Sequence, residues 1–266
     1  MGKILSLANF KGGVGKTSTT ALIGYNLARL GKKVLLIDLD AQANLTSLMI
    51  KTNMENTRIR TIETSLMTGI IEELSPDKLI INIGDNLDLI PNAVDFSVYP
   101  RYLEQKFDRE IDRVSFLKSF LSGIIDNYDY IFLDVPPTLS LLNDSAFFAC
   151  DQIVIVLQTQ ERSLTGAEQL IQYLQSTLID EFNADCDVLG VLPVLSKRNA
   201  LVDTQILELA EKEFGYEYIF ENKIPTLERI KRHDVQGITD RGVHDKNVHT
   251  IFTDVANELL ERLGDK

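Results

Sequence analysis

The tightest constraint on this chain is the run Lys11-Gly12-Gly13-Val14-Gly15-Lys16-Thr17-Ser18, set between an apolar stretch at residues 4–8 and a helix-like stretch at 20–30. Three glycines reach backbone conformations closed to other residues, so successive N–H groups turn toward one point. A helix that begins there aims the positive end of its dipole at the same place. The pattern reads as a phosphate cradle, with Lys16 set to meet β- and γ-phosphates and Thr17 set to meet Mg²⁺. The strict P-loop has a glycine five positions before Gly15; Phe10 stands there, and an extra lysine, Lys11, opens the loop. The match is to a deviant form of the motif.

Short apolar runs recur at residues 34–37, 87–90, 130–133, 153–157 and 188–194, mostly separated by helical patterns. They lack polar alternation, which suits strands buried on both faces, and the order predicts an α/β fold with a mainly parallel, twisted sheet flanked by helices. Residues 50–84 read as loops and short helices around a helical stretch at 62–74. Residues 101–126 read as one or two helices whose stripe of Leu103, Phe107, Ile111, Val114 and Leu117 faces a core. Near the C-terminus, Val248, Ile251, Phe252, Val255, Leu259, Leu260 and Leu263 form a further stripe suited to docking. With 266 residues the chain is long enough for one large domain, expected over 1–266.

The balance of 27 basic against 39 acidic residues gives a net charge of −12, which excludes a generally basic nucleic-acid binder but not a local basic patch. Cys150 and Cys186 lack C-x-x-C spacing and read as buried free thiols. His233, His244 and His249 have no metal-ligand spacing. No apolar run approaches the roughly 18 residues a membrane span needs, so a cytoplasmic protein is expected.

Asp38 and Asp40 close the second apolar run, two residues apart and therefore on one face, at the sheet edge where open α/β sheets bind ligands. The same acids are also placed to cap the following helix. Asp134 closes another run and resembles a Walker B acid that holds Mg²⁺ through water. Pro136 and Pro137 then force the chain out of the sheet beside the phosphate loop, either as a nucleotide-sensing loop or as a rigid strand exit.

Together these segments, with residues 35–44, 87–91, 128–142 and 151–157 and the pair Ile224-Pro225 in matching order, resemble the ParA/Soj partition ATPases of the deviant Walker A, MinD-like superfamily. The resemblance implies a P-loop NTPase that binds ATP and Mg²⁺ through Lys11, Gly12, Gly13, Val14, Gly15, Lys16, Thr17 and Ser18, with Pro225 beside the base. It implies an ATP-dependent homodimer in which Lys11 reaches the partner's phosphates, Asp40 orients the attacking water, and Asp38 and Asp134 support Mg²⁺ beside Thr17. Slow ATP hydrolysis, stimulated by a ParB-type centromere-binding protein, would release the dimer from nonspecific double-stranded DNA, giving a nucleoid-associated protein. Arg198 and Arg229 match the DNA-contacting arginines, and Lys197, Lys231, Arg232 and His233 extend that patch. Glutamates in the same region leave open a reading as ordinary solvated helix faces.

The family's Asp-x-Asp-Pro-Gln-Gly-Asn appears here as Asp38-Leu39-Asp40-Ala41-Gln42-Ala43-Asn44, which predicts a softer turn after the strand. The N-terminal helix-turn-helix domain of larger plasmid proteins is absent from the pattern, so operator binding is not expected. A MinD-like switch positioning a membrane or protein cargo is the alternative. The acidic residues Asp254, Glu258, Glu261 and Asp265 near the end argue against a basic lipid-binding tail.

Overall fold

Each of the apolar runs forms a strand in the computed structural model, which describes residues 2–53, 62–196 and 201–265. The strands are β1 (Lys3–Ala8), β2 (Val34–Asp38), β3 (Ile81–Gly84), β4 (Leu87–Ile90), β5 (Tyr130–Asp134), β6 (Gln152–Gln158), β7 (Asp187–Ser196) and β8 (Ile224–Pro225). They form one sheet in the order β3-β4-β2-β5-β1-β6-β7-β8, parallel except for the β3–β4 pair at one edge. That antiparallel edge strand lies in the region read as loops and short helices, because four residues with mixed burial carry almost no periodic signal.

The helices are α1 (Lys16–Arg29), α2 (Asn44–Asn53), α3 (Leu66–Ile71), α4 (Tyr99–Lys106), α5 (Glu110–Val114), α6 (Phe116–Leu121), α7 (Leu141–Ala149), α8 (Glu161–Tyr173), α9 (Leu201–Phe214), α10 (Glu228–Gln236) and α11 (Gly242–Arg262). Strand residues alternate between two cores. On one face Leu5, Leu7, Leu36 and Phe132 meet Leu22 and Leu27 of α1, Met49 of α2 and Phe252 and Val255 of α11. On the other, Ile37, Ile131, Leu133 and Ile155 meet Met67 of α3, Tyr99 and Leu103 of α4, Phe147 of α7 and Ala167 and Leu170 of α8. The strands are therefore apolar throughout because both faces are covered.

The stripe expected over residues 101–126 is split among α4, α5 and α6; the chain leaves the helix at Phe107 in an extended conformation, and Ile111 is 37% exposed and faces away from the core. The terminal stripe docks as expected through Val248, Phe252, Val255 and Leu259. Cys150 and Cys186 are free and buried. Among the described residues, no helix is long and apolar enough to cross a membrane.

Candidate functional site

The carboxyl ends of β1, β2 and β5 converge on the segment joining β1 to α1. Gly13 and Gly15 take φ values of 75° and 87°, the left-handed region that glycine enters without strain. Gly15 is the N-cap of α1, and no side chain caps that end, so the first N–H groups of the helix remain available to an anion. The Lys16 side chain lies back along the loop and donates from Nζ to the carbonyl oxygen of Asn9 at 3.2 Å. Burial lowers the Lys16 pKa, and the nearby charges of Asp134 and Asp40 only partly restore it. A buried ammonium held by one carbonyl is prepared for an anionic partner.

Asp38 and Asp134 are directly paired across β2 and β5. Asp38 is fully buried; its carboxylate accepts from the Thr46 N–H at 2.8 Å and the Asp40 N–H at 3.1 Å. It therefore braces the first turn of α2, the capping role foreseen alongside the metal role. Burial, against those hydrogen bonds, raises its pKa to about 6. Asp40 is partly exposed and closes its own turn by accepting from the Gln42 N–H at 2.9 Å.

Asp134 differs: it is 1% exposed, and neither carboxyl oxygen has a hydrogen-bond partner. Burial, then the Asp38 charge, push its pKa to about 8, while the Thr17 hydroxyl and the Lys16 ammonium lie near enough to oppose them without completing a hydrogen bond. Two orphaned oxygens beside a second carboxylate and a hydroxyl form a donor set for a hard cation. Among the described residues no group of three or more His, Cys, Asp or Glu is placed to hold a metal. The two carboxylates and the hydroxyl fit Mg²⁺, which takes one or two carboxylates and completes its shell with water and phosphate oxygens.

Lys11 lies on the opposite lip, with Nζ donating to the side-chain oxygens of Gln158, at 2.9 Å, and of Gln160. Ser18 follows on the first turn of α1 and faces Asp234 of α10. Pro225 sits on β8 beside Ser196, where Thr226 N–H donates to the Ser196 carbonyl oxygen at 3.0 Å. Arg198 and Lys197 lie outside the described residues. Arg229 is bound through two nitrogens to the buried carboxylate of Asp245 and through Nη2 to Thr239, leaving its side chain 20% exposed. His233, expected on the same patch, is buried beside Asp245 instead. Lys231 and Arg232 are exposed, and Lys231 pairs with Glu228 at 2.9 Å.

Several residues that complete the site carry no motif of their own. Asn9 donates to the carbonyl oxygens of Val156 and Ser163 and accepts from the Lys11 N–H, tying the loop to β6 and α8. Asn143 donates to the Pro136 carbonyl oxygen at 3.0 Å and so fixes the exit from β5. Asn92 donates to the Asp40 carbonyl oxygen at 3.2 Å. The only sequence signal available for these three was an amide residue beside a recognised segment.

A family model described as an AAA domain matches residues 2–188. The sporulation initiation inhibitor protein Soj of Bacillus subtilis is 31% identical over 237 residues, covering 89% of each chain. The chain belongs to the ParA/Soj family of partition ATPases. The chromosome-partitioning ATPase Soj of Treponema pallidum, a second ParA/Soj relative, is 28% identical over 245 residues, covering 90% of this chain and 88% of that one. Among solved structures, an ATP complex of Cyanothece McdA superposes with a TM-score of 0.81 at 22% identity, covering 100% of this chain and 97% of the other, which shows a common fold.

Proposed function

We propose that this protein is an ATP-driven partition switch: ATP and Mg²⁺ close a homodimer, the dimer holds nonspecific double-stranded DNA, and a ParB-type partner stimulates hydrolysis and release. The observation that carries the reading is the unpartnered Asp134 carboxylate, set opposite Thr17 and Lys16 where the uncapped end of α1 points. The loop N–H groups from Gly12 to Ser18 cradle the phosphates, and Lys16 moves from the Asn9 carbonyl oxygen to a phosphate oxygen. Thr17, Asp38 and Asp134 would hold Mg²⁺, which would supply neutralisation of phosphate charge. Asp40, held at the rim by its own turn, orients the attacking water, and Pro225 lies beside the base. Lys11 supplies a second cation to the partner's phosphates, where charge neutralisation governs the rate.

The DNA contacts of this reading are Arg198, matched by sequence alone, and the exposed Lys231 and Arg232. Arg229 enters it through the part of its side chain that Asp245 leaves open. Phosphate contacts of this kind need no base readout and make binding steeply salt-dependent. The protein would then be cytoplasmic and associated with the nucleoid.

The test is the mass of the protein in solution with Mg²⁺ and either ATP, ADP or no nucleotide, with hydrolysis measured in parallel. Doubling of the mass with ATP alone, slow turnover, and loss of both in Lys11→Ala support the switch. A mass unchanged by ATP in the wild-type protein overturns it.

A further inference from the structure

We infer that Gln158 and Gln160 are positioning residues that tether the Lys11 ammonium to its own protomer, so that Lys11 is released only to an anion stronger than two neutral amides. The inference rests on the reading of Lys11 as the lysine that crosses the dimer.

The tether is built from both ends. Asn9 is 2% exposed and anchored by its amide nitrogen to the carbonyl oxygens of Val156, at 2.9 Å, and Ser163, at 3.1 Å. Its Oδ1 then accepts from the Lys11 N–H at 2.8 Å, which fixes where the Lys11 side chain starts. The close approach requires Gly166: a Cβ there would stand 2.5 Å from Asn9 Oδ1 and 3.3 Å from the Lys11 nitrogen. At the other end Gln158 closes β6 and Gln160 is the N-cap of α8, with the Gln158 N–H held by the Ser163 hydroxyl at 3.1 Å. Both amides present oxygen to Nζ, as they must, since an ammonium only donates.

Two features of the position work against a cation. Burial and then the Arg162 charge disfavour the ammonium form of Lys11. The N-terminal end of α8, which carries positive partial charge, lies next to it. Neutral carbonyl oxygens are weaker partners for an ammonium than a phosphate or carboxylate. Lys11 is thus held in place by neutral partners alone, and the neighbouring Arg162 favours its departure once phosphate charge arrives. The two glutamines would set the ATP level at which the dimer closes, and the tether would keep the lysine from engaging other anions first.

The test compares the wild-type chain with Gln158→Ala/Gln160→Ala and with Gln160→Glu. The first readout is the acetylation rate of Lys11 without nucleotide, followed by peptide mass spectrometry with the exposed Lys33 as internal reference. The second is the ATP concentration that gives half-maximal dimer. A hydrogen bond to a charged group is worth roughly a tenfold change in population. The double alanine variant should therefore acetylate Lys11 about tenfold faster and close at lower ATP. Gln160→Glu, which replaces an amide with a charge, should do the reverse on both readouts. A loss of structure alone would not produce opposite shifts in two variants of the same residue. Equal Lys11 reactivity in all three proteins overturns the tether. Reactivity that shifts in both directions while dimerisation stays fixed, together with a Lys11→Ala protein that still dimerises, upholds the tether and overturns the cross-dimer role.

Discussion

Asp38 and Asp134 face each other across β2 and β5 as register partners, both buried, yet only Asp38 is hydrogen-bonded. The pair divides the work: Asp38 fixes the start of α2, and Asp134 keeps both oxygens free beside Thr17. Asp134→Asn removes the charge a cation needs while keeping the shape. The variant should melt no lower than the wild-type protein without nucleotide, should lose the rise in melting temperature given by ATP and Mg²⁺ together, and should hydrolyse ATP at least about 100-fold more slowly. Thermal melts with and without the magnesium nucleotide check this directly.

Ala43 occupies φ 52°, the left-handed region, where the family's motif carries glycine. The turn is therefore kept under strain and not softened, as the loss of that glycine had suggested; the Ala43 N–H still donates to the Asp40 carbonyl oxygen at 2.8 Å. Ala43→Gly relieves the strain and adds chain entropy to the unfolded state, for a net gain of about 0.5–1 kcal/mol. Urea unfolding should show a higher midpoint at unchanged slope.

Arg229 and Asp245 make the pH dependence of the α10–α11 corner predictable. Burial works against the Asp245 carboxylate, but the Arg229 guanidinium, the Thr239 hydroxyl, the Arg241 N–H and His233 outweigh it and hold its pKa well below the usual carboxylate range. An acid whose pKa is depressed on folding contributes stability above its unfolded pKa of about 4, and that stability is lost as pH falls below it. Arg229→Ala leaves a buried charge without its main partner, so it should cost about 3 kcal/mol at neutral pH, with a smaller further loss in acid than the wild type shows. Urea midpoints at about pH 7 and pH 3 for both proteins give the comparison. Reduced DNA binding by Arg229→Ala counts as loss of a contact only when the variant is shown to be folded.

Gly166→Ala tests the support beneath the phosphate loop. The added methyl group must displace the Asn9 amide, which stands 2.5 Å from it. ATP affinity should fall about tenfold while the fold survives, because the backbone of Lys11 loses its anchor. Calorimetric titration with a nonhydrolysable ATP analogue measures this.

Much of this molecule was legible in its sequence because the informative parts are local. The glycines of the phosphate loop, the acids that end β2 and β5, and the uninterrupted apolar strands each declare themselves within a few residues. What escaped was set by contacts distant in sequence. β3 is too short for a period of two, and it forms because β4 offers an edge. Asn9 and the Gln158–Gln160 pair acquire meaning only where β1 and β6 lie side by side. The anchoring of Arg229 and the burial of His233 both depend on Asp245, more than ten residues away and invisible to local charge counting.

Whether ATP converts the protein into a DNA-binding dimer is read from its affinity for arbitrary double-stranded DNA with ATP, with ADP and without nucleotide, at two salt concentrations. Binding should occur with ATP alone and weaken steeply as salt rises, since phosphate contacts exchange with counterions. An ATP-closed dimer that binds no DNA at either salt concentration would contradict it and would assign the same nucleotide engine to a membrane or protein cargo.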